Sequence, residues 1–278
     1  MKLFRHGPAG SERAGIVDRQ GVLRDLSLIV PDITPDLLAP ERLAALAAID
    51  AERLPPVDEA VRIGAPVGGI RQFVAVGLNY RKHAEESGMA IPKEPVVFNK
   101  ALTSIAGPND AVEMPDGSTH LDWEIELGIV IGSTARRVSP EAALSHVAGW
   151  CLANDVSERD WQANRNGQWM KGKSFDGFGP LGPWLVTTEE LTDPQAIPLR
   201  LSVNGEVRQN SNTSDMIFSA AFLVSYISRF MTLLPGDVVI TGTPEGVGFG
   251  MKPPVYLKRG DMITLDGGIL GTQRQVVV

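Results

Sequence analysis

Three carboxylates stand beside apolar, strand-like runs and could bind a metal ion. In the run 122–127 (Asp-Trp-Glu-Ile-Glu-Leu), the alternating side chains of a strand place Glu124 and Glu126 on one face. Two such carboxylates repel each other, so the pair faces water, shares a proton or binds a cation. Asp155 follows a second apolar run, and three oxygen ligands suit Mg²⁺ or Mn²⁺. An exposed strand face is the alternative, and Asp122 shares the face of Glu124.

A histidine and a glutamate with helical spacing form a second candidate site. His83 and Glu86 are three residues apart in the polar segment 79–87, and residues at this spacing are neighbours on a helix. A carboxylate can orient an imidazole and raise its basicity, which makes His83 a candidate general base. Glu85 adjoins Glu86 but lacks the spacing. A surface helix with incidental charges is the alternative.

Three further polar residues suit an anionic ligand. Arg159 and Gln162 follow Asp155 and are again three residues apart, and Lys173 stands in a glycine-flanked segment. A solvated loop is the alternative interpretation. The glycine-rich segment 242–250 lacks the Gly-Lys-Ser/Thr ending of a phosphate-binding loop, so nucleotide binding is not expected.

The elements that must position these residues are mainly strands. The 29 glycines and 20 prolines indicate many turns and hence a β-rich, mixed α/β protein. Apolar runs predict strands, and Asn204-Gly205 predicts a two-residue hairpin turn. The predicted strands are 73–76, 95–98, 124–131, 150–153 and 238–240. Helices are predicted at 81–87, after residue 157, and at 216–230.

The first 69 residues are predicted to form a small N-terminal α/β domain with its linker. Segments 14–18 and 21–26 resemble a hairpin, and a helix begins at Pro40, where proline suits the first turn. The stretch 54–69 is rich in proline and glycine, as linkers are. Residues 70–278 would then form the catalytic domain.

Together these motifs resemble the fumarylacetoacetate hydrolase family. They occur in family order from about residue 70 to the end, and five matches in order are far more specific than any one. The resemblance implies the family's mixed β-sandwich roll behind a small N-terminal domain, and a homodimer. The matching segments are 77–86, 124–126, 154–162, 172–175 and 234–248.

The resemblance also implies a role for each candidate residue. Glu124, Glu126 and Asp155 would bind Mg²⁺ or Mn²⁺, and His83 with Glu86 would form the catalytic dyad. The Lys-Ser-Phe match selects Lys173 over Lys171 as a further catalytic residue. The residues expected to bind substrate are Arg159, Gln162 and Thr243.

The implied chemistry is metal-assisted cleavage of a 2,4-dioxo acid. A 2-oxo acid can chelate a metal that stabilises an enolate, while His83 activates water for attack on C4. Pyruvate enolate would leave, steadied by Lys173 and Gln162. The same site permits decarboxylation of oxaloacetate or keto–enol isomerisation. Overall length and the start 2–5 resemble a bacterial subgroup of ureidoglycolate lyases and 2,4-dioxo-3-deoxy sugar acid hydrolases, of which the hydrolases are favoured.

Composition excludes some other functions. The net charge of −7 argues against non-specific nucleic-acid binding, and no apolar run reaches the ~20 residues of a membrane helix. The start lacks a signal peptide, and the lone Cys151 forms no intrachain disulfide, so a cytoplasmic location is expected. A metal-stabilised binding module without catalysis is the alternative from another class, and the His83–Glu86 spacing counts against it.

Overall fold

The computed structural model describes residues 1–278, which fold into strands joined by short helices and turns. The strands are β1 (Lys2–His6), β2 (Arg13–Val17), β3 (Leu23–Asp25), β4 (Ile63–Gly64), β5 (Phe73–Gly77), β6 (Val96–Lys100), β7 (Ile105–Ala106), β8 (Leu121–Asp122), β9 (Ile125–Ile131), β10 (Val147–Asn154), β11 (Ser157–Glu158), β12 (Gly179–Pro180), β13 (Leu185–Thr187), β14 (Pro198–Val203), β15 (Glu206–Asn212), β16 (Val238–Ile240), β17 (Met262–Asp266) and β18 (Thr272–Val276). The α-helices are α1 (Pro40–Ala47), α2 (Arg81–Glu86), α3 (Pro140–Ala143), α4 (Met170–Lys173) and α5 (Ala220–Ile227). This confirms the predicted strand-rich, mixed α/β class.

Two main sheets enclose the core. The larger has the order β3-β2-β1-β13-β10-β9-β16-β5-β6, with β4 beside β1, and only β16 and β5 pair in parallel. The smaller has the order β15-β14-β17-β18. Leu127 of the large sheet and Leu201 and Leu265 of the small one belong to one cluster of fully buried side chains. Strands β9 and β10 are buried along their whole length and form the rigid centre from which the site is built.

The N-terminal segment adds strands to the large sheet. Strand β1 pairs with β13, with Lys2 opposite Val186, and the predicted linker contains β4. Paired charges tie this segment to the rest: Arg62 Nη2 lies 2.6 Å from Asp110 Oδ2. The segment therefore shares a sheet with the predicted catalytic domain, and a domain boundary near residue 69 stays a prediction.

Local sequence signals explain most elements. The predicted hairpin forms as β14–β15, and its turn residues Asn204 and Gly205 both have positive φ (52° and 81°). Helix α5 is shorter than predicted because Ser219 caps it, with its Oγ accepting a hydrogen bond from the Phe222 N–H (3.3 Å). None of the helices is long and apolar enough to cross a membrane.

The segment after Asp155 differs from the predicted polar helix. Strand β11 pairs with β8, with Ser157 opposite Asp122, and this pairing keeps the backbone extended. A single π-helical turn follows at Asp160–Asn164. The arrangement brings Arg159 back toward the carboxylates.

Candidate active site

The structure brings the three predicted carboxylates together. Glu124 directly precedes β9, Glu126 lies within it opposite Ala153, and Asp155 directly follows β10. The Asp155 N–H donates to the Glu124 carbonyl (2.9 Å), which fixes the two strand ends against each other. One carboxylate oxygen from each residue lies within 4.8 Å of the others, and all three side chains are buried. The alternative of a water-exposed strand face is therefore wrong.

Cations surround two of these carboxylates but not the third. Lys173 Nζ bridges Glu124 Oε2 (2.8 Å) and Asp155 Oδ2 (2.7 Å). Lys100 Nζ lies 2.5 Å from Asp155 Oδ1 and also donates to the Lys173 carbonyl. Glu126 has only a backbone donor, the Gly242 N–H at 2.7 Å.

This asymmetry separates the acidities of the two glutamates. Burial alone would raise the pKa of Glu124, but Lys173 and Arg159 outweigh it and hold the pKa at about 2. Burial raises the pKa of Glu126 well above its usual range, and repulsion by Asp155 and Glu124 adds to the rise. Glu124 is therefore ionised and ion-paired, whereas the surroundings of Glu126 favour its protonated form.

Arg159 connects the cluster to an acidic residue outside it, Asp122. Its Nη1 lies 2.6 Å from Glu124 Oε1, and its Nε donates to Asp122 Oδ2 (2.8 Å). Asp122 also accepts from the Gly248 N–H (2.7 Å) and the Phe249 N–H (2.9 Å). Its oxygens are thus committed, and Asp122 holds Arg159 and a loop rather than joining the carboxylate cluster.

The His83–Glu86 pair forms on α2, which confirms the predicted helix. His83 Nδ1 and Glu86 Oε2 are 3.4 Å apart, and both Glu86 oxygens lie 3.1 Å from the Gly246 N. That backbone N–H holds the carboxylate in place against the glycine-rich loop. His83 is buried and lines the same cleft as Glu124, while Glu85 is exposed to solvent.

The predicted substrate-binding residues differ in what they offer. Gln162 lines the cleft, and its Oε1 accepts from Arg159 Nη1 (3.0 Å). Thr243 also lines the cleft, but its hydroxyl donates to the Ile125 carbonyl (2.9 Å) and accepts from Gln209 Nε2 (2.8 Å). The Thr243 hydroxyl therefore ties the glycine-rich loop to β9, and its predicted contact with substrate stays a prediction.

One cleft joins most of these groups, and sequence reasoning missed both Lys100 behind it and the apolar part of its wall. Lys100 was missed because it is the last residue of an edge strand, and no local sequence pattern places that strand end beside Asp155. The apolar wall was missed because its members come from six separate segments. They are Val76, Leu78, Met89, Phe98, Ala163, Trp169, Val247 and Phe249.

The fold is strand-rich, and a histidine shares one cleft with a buried carboxylate cluster. This arrangement is that of an enzyme. The model of the fumarylacetoacetate (FAA) hydrolase C-terminal family matches residues 72–278. A Burkholderia lata protein named "putative hydrolase" is 55% identical over 276 residues, which cover 99% of this chain and 98% of that protein. The chain belongs to the fumarylacetoacetate hydrolase family.

Solved structures agree over the entire chain. The fumarylacetoacetate hydrolase of Exiguobacterium antarcticum is 39% identical with a TM-score of 0.89, covering 100% of this chain and 99% of that one. The maleylpyruvate hydrolase of Sphingobium sp. SYK-6 is 28% identical with a TM-score of 0.83, again covering 100% and 99%. The N-terminal segment is thus part of the shared fold.

Proposed function

We propose that the chain is a Mg²⁺- or Mn²⁺-dependent hydrolase that cleaves the C3–C4 bond of 2,4-dioxo acids and releases pyruvate. The observation that carries the proposal is one cleft lined by His83, Glu124 and Asp155, with Glu126 in the same carboxylate cluster. A binding module would need the cluster but not the histidine. The related maleylpyruvate hydrolase is named for an acylpyruvate-type substrate, which supports the same class here.

The carboxylate cluster fits a divalent metal. Glu124, Glu126 and Asp155 supply hard oxygen ligands, and Glu126 has no cationic side chain to neutralise it. Apart from Glu126, the buried site pairs three acidic residues, Asp122, Glu124 and Asp155, with three basic ones, Arg159, Lys100 and Lys173, so an ionised Glu126 adds the negative charge that a cation would balance. When bound, the metal would act as a Lewis acid toward the carboxylate and 2-oxo oxygens of the substrate.

The dyad would generate the nucleophile. Glu86 faces His83 Nδ1, which leaves Nε2 for a water molecule in the cleft. His83 would take a proton from that water as the water oxygen bonds to C4. The Gly246 N–H keeps Glu86 oriented throughout, so the imidazole stays in position.

The remaining residues would stabilise charge as the C3–C4 bond breaks. The bonding electrons pass to the pyruvate fragment as an enolate, and protonation at C3 then gives pyruvate and a carboxylic acid. Lys173 donates two of its three N–H bonds to Glu124 and Asp155, so one remains for the developing oxyanion. The Gln162 amide nitrogen is a second donor from the same wall.

A pyruvate assay tests this function. Purified protein with Mg²⁺ should release one pyruvate for each 2,4-dioxo acid consumed, whereas ureidoglycolate should yield no glyoxylate. Oxaloacetate decarboxylation or isomerisation without C–C cleavage would instead assign one of the related chemistries. Absence of turnover with every substrate would favour the binding module. The 2,4-dioxo-3-deoxy sugar acids favoured by the sequence are one arm of this screen.

Metal binding is expected to release protons. Because burial and acidic neighbours raise the pKa of Glu126, a metal must compete with a proton there, so Mg²⁺ affinity should rise with pH through that raised pKa and level off above it. Calorimetry in buffers of different ionisation enthalpy should show release approaching one proton per site.

Glu158→Gln is the matched control for proton release. Glu158 is also buried, but its oxygens accept from Ser118 Oγ and the Trp161 N–H, away from the cluster. The variant should release as many protons as wild type. Binding without proton release in wild type would show that Glu126 is already ionised.

The family resemblance also carries proposals on assembly and location. A homodimer predicts a sedimentation mass of twice 29.9 kDa, and a monomer at micromolar concentration would contradict it. A reducing compartment such as the cytoplasm suits the lone Cys151, which is buried, and burial raises its thiol pKa to about 12.

A further inference from the structure

We infer that the tail beyond C4 of the substrate is uncharged and apolar, an alkyl or aryl group rather than a sugar chain or a second carboxylate. The inference rests on the proposed function and concerns the part of the cleft that the reaction does not use. Charged groups gather at one end of this cleft, around Asp155 and Lys173. The rest of the wall is mostly aromatic and aliphatic, and its polar members are His83, Ser87, Gln162 and Thr243.

Two aromatic rings form the inner part of this wall. Phe98 and Trp169 meet edge to face with their centroids 5.5 Å apart, and Phe98 lies 5.6 Å from Lys173 Nζ. Trp169 covers Gly77 so closely that a Cβ at that position would collide with the ring. The apolar wall therefore starts directly beside the cationic group, where the tail of a bound dioxo acid begins.

Two exposed apolar side chains form the rim. Met89 is 46% exposed and Phe249 45% exposed, and both line the cleft. When an apolar group covers apolar side chains at the mouth of a cleft, water is removed from both surfaces and the complex is stabilised. Such a rim provides no hydrogen bond to a hydroxylated tail.

The cleft has no free cation for a second carboxylate. Its only lysine and arginine are Lys173 and Arg159, and both are paired with acidic side chains of the cluster. Polar partners for sugar hydroxyls are also few: the Thr243 hydroxyl is committed to backbone and Gln209, the Gln162 amide is assigned to the oxyanion, and the Ser87 hydroxyl remains. A buried hydroxyl without a partner is costly, so charged and hydroxylated tails are disfavoured.

A series of 2,4-dioxo acids tests the inference. We compare a methyl tail, a butyl tail, a tail of similar length that ends in a carboxylate, and a hydroxylated tail. A fully buried methylene contributes about a fourfold gain in binding, so kcat/KM should rise at least about tenfold from methyl to butyl. The carboxylate and hydroxylated tails should fall below butyl.

Two substitutions at the rim test whether Phe249 and Met89 contact the substrate tail. Phe249→Ala, at an exposed loop position, should lower the ratio of butyl to methyl kcat/KM several-fold. Met89→Lys should raise the ratio of carboxylate-tailed to butyl-tailed kcat/KM about fivefold, the upper range for an exposed ion pair. Ile91→Lys is the matched control, because Ile91 is 48% exposed on the same segment but does not line the cleft, and it should leave the ratio unchanged.

The outcomes separate this inference from the proposed function. Pyruvate release that is indifferent to tail length, or fastest with a charged or hydroxylated tail, overturns the apolar tail and leaves the hydrolase intact. Equal effects of Met89→Lys and Ile91→Lys overturn the assignment of the rim. Absence of pyruvate from every dioxo acid overturns both proposals.

Discussion

Glu126→Gln is expected to abolish Mg²⁺ binding and lower kcat/KM at least about 100-fold without lowering the Tm of the metal-free protein. Glutamine keeps the shape of a protonated glutamate, the form of Glu126 that burial and acidic neighbours favour by raising its pKa. The Gly242 N–H can still donate to the side-chain oxygen. What is lost is the ability to become a carboxylate when the metal arrives.

Glu124→Gln provides the contrast. This variant should also lose metal binding, but it should destabilise the protein by about 3 kcal/mol, since it breaks two buried ion pairs and leaves Lys173 with Asp155 alone and Arg159 with Asp122 alone. Thermal unfolding and calorimetry of both variants give the comparison. Unchanged Mg²⁺ affinity in Glu126→Gln, Glu124→Gln and Asp155→Asn alike would show that the metal binds elsewhere.

His83→Ala is expected to lower kcat by a factor of about 10² to 10⁴, the usual contribution of a general base, with Mg²⁺ affinity unchanged. His83 lines the cleft but contacts none of the three carboxylates, so the metal site should survive. Because only the unprotonated imidazole can accept a proton, kcat/KM of the wild type should rise with pH. That rising limb should disappear in the variant.

Glu86 and its neighbour Glu85 provide matched variants that test whether Glu86 orients the His83 ring. Glu86→Gln should lower kcat about tenfold or more, because the amide orients the His83 ring less well than a carboxylate. Glu85→Gln, one residue away and exposed, should match wild type. An unchanged pH profile in His83→Ala would exclude His83 as the base, and equal loss in both glutamine variants would exclude the dyad.

The carboxylate cluster could be predicted because it depends on local geometry. Glu124 and Glu126 stand two residues apart at the start of a buried strand, and Asp155 follows the strand that pairs with it. Strand alternation and chain order are visible in the sequence. The positions of the charged partners could not be predicted, since Lys100 and Asp155 are brought together by pairings that join β6 to β10 through three intervening strands.

The N-terminal segment shows the same limit. A hairpin could be predicted there from turn residues, and β2 and β3 do pair. The pairing of β1 with β13 joins residues more than 180 positions apart, and no local pattern specifies it. The cleft wall likewise unites Met89, Trp169 and Phe249, three residues whose proximity depends on the whole fold.

The most direct test of the account follows the atoms of water into products. Wild-type protein with Mg²⁺ and a butyl-tailed 2,4-dioxo acid in H₂¹⁸O should give pentanoate with one ¹⁸O in its carboxylate, alongside an equal amount of pyruvate. A parallel run in D₂O should place one solvent deuterium on the pyruvate methyl at the moment of release. Carbon dioxide or an isomerised acid in place of these two products would contradict the hydrolytic cleavage on which the account depends.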